Sequence, residues 1–209
     1  MEVTKEIKEK QLAILEQTYA GAVPELIFNS TFELLISVIL SAQCTDKRVN
    51  AVTAELFPVA NTPHQFLALG QAKLETLIKP CGFFRTKAKN ILATCQKLVD
   101  DFNGEVPESF DELVKLPGVG RKTANVVTSV AFKKPAIAVD THVFRISNRL
   151  QLATGETPLE VELGLQEVIP REKWSDAHHW LIWHGRKLSK ARQPLCLQCP
   201  LIKVCPSAC

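Results

Sequence analysis

Lys122 follows the turn Leu116-Pro117-Gly118-Val119-Gly120-Arg121 at the head of a predicted helix. Asp140 stands eighteen residues further on, in Val139-Asp140-Thr141-His142-Val143, just ahead of another. A lysine is a nucleophile only when neutral, and at a reference pKa of about 10.4 roughly one in 2,500 is neutral at pH 7. Partial burial and the positive end of its own helix would both lower that pKa. A depression of about two units raises the neutral fraction to several per cent, for roughly 2.7 kcal/mol. Gly118 and Gly120 suit a tight turn, because glycine takes positive φ at little cost and lets another backbone come close. The helix that follows presents N–H groups and a positive dipole end, an anion site that fits one phosphate. Such a contact fixes position on a nucleic acid and reads no sequence. Asp140 can cap the helix starting at Thr141, and a carboxylate kept ionised by N–H bonds can stabilise positive charge. Taken singly, each feature has a plain reading: a solvated lysine, a helix cap, a turn with glycines for packing.

A second group with chemistry lies towards the end of the sequence, where Cys196, Cys199 and Cys205 form C-x2-C-x5-C and Cys209 follows. The charged opening, Met1-Glu2-Val3-Thr4-Lys5-Glu6, has no apolar stretch of the kind a signal peptide needs, so a cytoplasmic protein is expected. Seven cysteines in such a chain point to metal or redox chemistry, not to a disulfide framework. Cys44, Cys81 and Cys95 read as small apolar residues. The net charge of +3 excludes a uniformly basic coat but leaves room for a local basic face. Arg186, Lys187, Lys190, Arg192 and Lys203 form the clearest positive patch. The richest apolar run, Leu34 to Leu40, is far short of the roughly 20 residues that span a bilayer, so no membrane partner is expected.

The elements that must position these residues are helices. Apolar residues recur at helical spacing over 4–19 and surround the axis over 31–43, which places the second segment inside a core. Further helices are expected near 46–57, 71–79, 83–102, 109–115, 121–132, 141–152, 157–169 and 175–190, bounded by signals such as Asn61-Thr62-Pro63 and Asn103-Gly104. Alternating strand patterns, fixed-period repeats and low-complexity tracts are not evident, so the fold class is all-α. Trp174, Trp180 and Trp183, with His178 and His179, read as packing residues.

The Leu116–Ala124 stretch resembles the helix-hairpin-helix of DNA repair glycosylases, and Lys122 with Asp140 resembles the catalytic pair of the endonuclease III family. The resemblance extends from the first helix to the cysteine tail. It implies a six-helix barrel over 25–134 and a second helical domain from 1–24 and 135–209, with the active cleft between them. Lys122 would attack C1′ of a damaged nucleotide, and β-elimination would cut the strand through a Schiff base. Asp140 would act as base or as electrostatic stabiliser. Ser41-Ala42-Gln43-Cys44-Thr45-Asp46 is similar to the family loop whose glutamine, here Gln43, fills the gap left by an extruded nucleotide. Gly82-Phe83-Phe84 lines up with a second wedge loop, His142 is a candidate phosphate or sugar contact, and Arg186 a DNA contact.

The tail resembles the last three ligands of a C-x6-C-x2-C-x5-C site for a [4Fe-4S] cluster, but the expected first ligand falls on Ser189. A hydroxyl is a harder and poorer ligand than a thiolate. Three outcomes are open: Cys209 completes the set, serine or water does so, or the loop holds zinc or nothing. The resemblance thus implies a monomeric bifunctional glycosylase and AP lyase acting on oxidised pyrimidines in double-stranded DNA. A monofunctional glycosylase of the same superfamily and a non-catalytic helix-hairpin-helix binding module are the alternatives, and Lys122 argues against the first.

Overall fold

The computed structural model describes residues 3–209; Met1 and Glu2, which open the charged N-terminal stretch, lie outside them. Among the described residues there are eleven α-helices, three short 3-10 turns and no strand. The chain divides into two compact units, one continuous over Pro24–Phe132, the other built from the segment ending at Val23 and from Lys133–Cys209.

The continuous unit holds α2 (Thr31–Leu40), α3 (Asp46–Leu56), α4 (Pro63–Leu69), α5 (Gln71–Ile78), α6 (Phe84–Phe102), α7 (Phe110–Leu113) and α8 (Arg121–Val130); its numbering starts at two because α1 (Lys5–Thr18) belongs to the other unit. Every residue of α2 from Phe32 to Leu40 is buried, as its all-round apolarity requires. Ser30 starts it, its hydroxyl accepting from the Glu33 N–H. Phe32, Leu35, Ile36, Ile39 and Leu40 of α2 share one core with Val49, Val52 and Leu56 of α3, Phe66 of α4, Leu74 and Ile78 of α5, and Ile91, Cys95 and Leu98 of α6.

Two expectations need correction here. Helix α4 was not anticipated: Asn61-Thr62-Pro63 reads as a break, whereas Thr62 is an N-cap, Pro63 takes the first turn and Phe66 is fully buried. The helix expected over 31–43 stops at Leu40, because the chain turns there and reaches a left-handed residue at Gln43.

The discontinuous unit combines α1 with α9 (Thr141–Leu150), α10 (Pro158–Val168) and α11 (Trp174–Lys187). Its core joins Leu15, Ile146, Leu150, Leu165, Trp180 and Leu181. Gln11 of α1 is fully buried and donates from Nε2 to the carbonyls of Leu150 (3.0 Å) and Val204 (2.7 Å). One side chain thereby ties the end of α9 to the segment that carries the cysteines. Trp174 donates to Ile169 O at 2.9 Å and Trp183 to Val23 O at 3.3 Å, so these indoles serve packing. Among the described residues no helix is long and apolar enough to cross a membrane.

Candidate functional site

Helices α7 and α8 and the turn between them form the hairpin. Arg121 reaches back from α8, its guanidinium 5.1 Å from the centre of the Phe110 ring on α7. Thr94 of α6 donates to Pro117 O at 2.6 Å and pins the turn. Gly118 takes φ +75°, and a Cβ there would lie 2.9 Å from Cβ of Asn90, so both conformation and packing require glycine. Gly120 differs from expectation. It is the N-cap of α8 with extended backbone at φ −89°, and a Cβ on it would meet nothing within 4 Å. Its value is the open approach it leaves to the N-terminal end of α8, where an anion is favoured.

Lys122 lies in the first turn of α8 and is exposed. The partial burial expected of it is therefore absent from the protein alone.

Asp140 is half-buried and caps α9, its Oδ1 accepting the N–H groups of His142 and Val143, each at 2.8 Å. The second carboxylate oxygen takes no part in that cap and keeps the capacity to meet positive charge. His142 is half-buried, and its Nδ1 lies 3.1 Å from Nη2 of Arg145, an arrangement that makes Nδ1 the acceptor. Burial holds its pKa below the usual value; Asp140 opposes that shift, and Arg145 and Arg186 reinforce it. Gly185 lets α11 lie close to α9 here, since a Cβ would come within 3.0 Å of the His142 Cβ. Arg186 is half-buried in the last turn of α11, and Lys187 stands 4.4 Å over the Trp183 ring, while Lys190, Arg192 and Lys203 are exposed.

Gln43 and Phe83 share a feature that their residue types do not announce. Both are left-handed, at φ 53° and 46°, and both are exposed, Phe83 by 68%. Such a conformation in a residue other than glycine costs on the order of 1–3 kcal/mol and persists only when the surroundings enforce it. Lys87 supplies part of that enforcement. It is 6% exposed, and its Nζ donates to Leu40 O at 2.9 Å and Cys81 O at 2.8 Å. Those carbonyls close α2 and the 3-10 turn Lys79–Cys81, so one ammonium joins the roots of both loops. Burial lowers its pKa. Sequence reasoning passed over Lys87, although it falls on the apolar face of α6 with Ile91, Cys95 and Leu98, which is the signal that could have marked it.

Cys196, Cys199, Cys205 and Cys209 line one cavity of about 320 Å³, together with Ser189 and Arg149. Among the described residues, no three His, Cys, Asp or Glu side chains converge on a point that would hold one metal ion. The four thiols instead wall a space, and a four-thiolate set around a cavity is the donor chemistry of an iron–sulfur cluster. They fit that group better than a single zinc, which draws its sulfurs to about 2.3 Å from one centre. His184 was not singled out by sequence either. It is buried, its Nδ1 lies 3.1 Å from the Tyr19 hydroxyl, and its Nε2 lies 3.7 Å from the Cys199 sulfur. Cys81 and Cys95 sit in the core of the continuous unit, with thiol pKa values pushed up to about 12 by burial.

The family described as HhH-GPD superfamily base excision DNA repair protein matches residues 36–171. Endonuclease III of Haemophilus influenzae is 54% identical over 181 residues, covering 87% of this chain and 86% of its own. Endonuclease III of Escherichia coli K12 is 51% identical over 201 residues, covering 95% of each. A solved structure of a trapped endonuclease III–DNA covalent intermediate superposes with a TM-score of 0.95 at 49% identity, over 99% of this chain and 98% of that one. With identity at this level over nearly its whole length, the chain belongs to the endonuclease III family of HhH-GPD base excision DNA repair enzymes, DNA glycosylases that also cleave abasic sites.

Proposed function

We propose that this protein excises oxidised pyrimidines from duplex DNA and cleaves the resulting abasic site with Lys122 as nucleophile. The observation that carries the reading is the placement of Lys122 in the first turn of α8, behind the hairpin turn set by Gly118. Its likeness to an endonuclease III captured as a covalent DNA intermediate supports the same chemistry. The N-terminal end of α8 holds a DNA phosphate, and bound DNA supplies the desolvation that the exposed lysine lacks by itself.

Neutral Lys122 attacks C1′ with its nitrogen lone pair, and the C1′–base bond breaks with its electrons leaving on the base. The sugar ring opens to a Schiff base between Nζ and C1′. Loss of a C2′ proton then expels the 3′ phosphate, and water releases the lysine. Asp140 receives the lysine's proton or faces the cationic sugar, using the oxygen outside its helix cap. Gln43 fills the gap left by the extruded nucleotide and Phe83 wedges between bases, uses that account for two exposed residues in a costly conformation. His142 and Arg186 contact phosphate or sugar.

Cys196, Cys199 and Cys205 would hold a [4Fe-4S] cluster, which when bound would shape the basic loop and take no redox part in base removal. The protein acts as a monomer in the cytoplasm, since no step asks for a second copy.

The test is incubation with a duplex bearing one thymine glycol or one abasic site in the presence of sodium borohydride. A trapped adduct is expected, and Lys122→Ala should lose both trapping and strand cleavage while keeping most DNA affinity. An equal loss of binding would make Lys122 a positional residue. No adduct from an intact, DNA-binding protein would leave a monofunctional glycosylase or a plain binding module.

A further inference from the structure

We propose that Cys209 supplies the fourth thiolate of the cluster, in a ligand set Cys196, Cys199, Cys205 and Cys209, and that Ser189 anchors arginines instead of iron. The inference rests on the reading that this cavity holds an iron–sulfur cluster.

The segment after Cys205 is folded back onto the site by bonds of its own. Ser207 Oγ donates to Arg149 O at 2.9 Å, and Ala208 N–H donates to Cys205 O at 3.3 Å. These bring Cys209 to Cys196, where its N–H donates to the Cys196 sulfur at 3.4 Å and the two sulfurs lie 2.7 Å apart, a thiol pair that must part for each sulfur to take its own iron. All four thiols line the same cavity.

Ser189 also lines the cavity, but its polar atoms are already committed. Its Oγ accepts from Arg149 Nη1 at 3.1 Å. Its carbonyl accepts from Arg145 Nε at 3.2 Å, Arg145 Nη2 at 3.1 Å and Arg149 Nη1 at 3.2 Å. Arg149 continues to the carbonyls of Lys190 and Ala191 at 2.7 and 3.1 Å. A hydroxyl serving as the terminus of this net is a hard, weakly acidic donor, whereas a thiol a short reach away is the ligand iron–sulfur clusters take. On binding, each cysteine sulfur gives its proton to solvent and its lone pair to one iron. Buried His184 lines the same cavity, its Nε2 3.7 Å from the Cys199 sulfur, a contact of the kind that fixes a ligand in place. Cys209 is the exposed member of the set, whereas Cys196, Cys199 and Cys205 are half-buried.

The test is iron and acid-labile sulfide per chain, with electron paramagnetic resonance, on wild type, Cys209→Ala and Ser189→Ala prepared anaerobically. Wild type and Ser189→Ala should each carry about four irons. Cys209→Ala should fall to about three, with the signal of an oxidised three-iron cluster, or lose the cluster altogether. Loss of iron in Ser189→Ala with retention in Cys209→Ala would overturn the proposal in favour of a serine ligand, and full iron in both variants would overturn it in favour of solvent. Wild type without iron or sulfide would instead remove the cluster reading itself. Should Cys209→Ala prove insoluble, a chain ending at Ala208 takes its place, with loss of iron supporting Cys209 and full iron overturning it.

Discussion

Single side chains here are set by demands that differ sharply in kind. Phe83 shows the contrast with an ordinary aromatic, since it is 68% exposed and left-handed while Phe66 is fully buried in the same unit. Phe83→Ala should therefore shift stability by no more than about 0.5 kcal/mol in urea denaturation. The same change should weaken binding to lesion duplex by about 1–3 kcal/mol, the worth of stacking a base on an aromatic ring, read by fluorescence anisotropy. A loss of stability with unchanged binding would mark it as a packing residue after all. The exposure of Lys122 was not foreseeable from its neighbours, because burial depends on what lies over a side chain and not on its place in a helix.

At the scale of elements, two stretches control what the candidate residues can do. In the hairpin, Gly118→Ala should cost at least about 1–2 kcal/mol, because alanine at positive φ is strained and its Cβ would press on Asn90. Gly120→Ala should leave stability nearly unchanged yet lower DNA affinity, since it adds a methyl only to the open mouth of α8. Denaturation and binding measured on the pair separate the two roles, and equal behaviour of the two variants would contradict them. In the loop roots, Lys87→Met removes the donor shared by Leu40 and Cys81. Leaving two buried carbonyls unpaired should cost about 2–6 kcal/mol at 1–3 kcal/mol each. Cleavage of duplex abasic DNA should then fall more than cleavage of single-stranded abasic DNA, where no base needs extruding. A variant that loses both equally would show that Lys87 supports the unit without positioning the loops.

For the molecule as a whole, each unit has its own core and each must stay folded for the chemistry proposed. Acid should act through the discontinuous unit. His179 on α11 has its pKa lowered to about 4, chiefly by burial, with Lys133 and Arg186 adding to the effect and Asp176 opposing it; the His178 ring stands 4.0 Å away. The unfolded chain, with a histidine pKa of about 6.5, binds a proton that the folded state refuses. Stability from this group is thus complete above about pH 6.5 and declines as pH falls towards 4. Urea midpoints at several pH values in that window should show the decline, and His179→Gln should reduce it, buried His184, its pKa likewise lowered to about 4, carrying the remainder. An unchanged slope in the variant would assign the acid sensitivity to other groups.

The all-α class, most helix positions, the hairpin, the Lys122 and Asp140 segments and the cysteine spacing were legible in sequence, because each is written in local periodicity, capping or short-range spacing. Helix α4 was missed because Thr62-Pro63 starts a helix with the residues that also end one. The requirement for positive φ at Gly118 but not Gly120, the buried ammonium of Lys87 and the Tyr19–His184–Cys199 contact depend on which surfaces meet. So does the gathering of Cys209 with Cys196 while Ser189 goes to Arg149. Sequence determined which chemical groups were available and on what helices. Tertiary structure alone decided which were buried, strained or brought together, because hydrogen bonding and desolvation are settled between segments far apart in the chain.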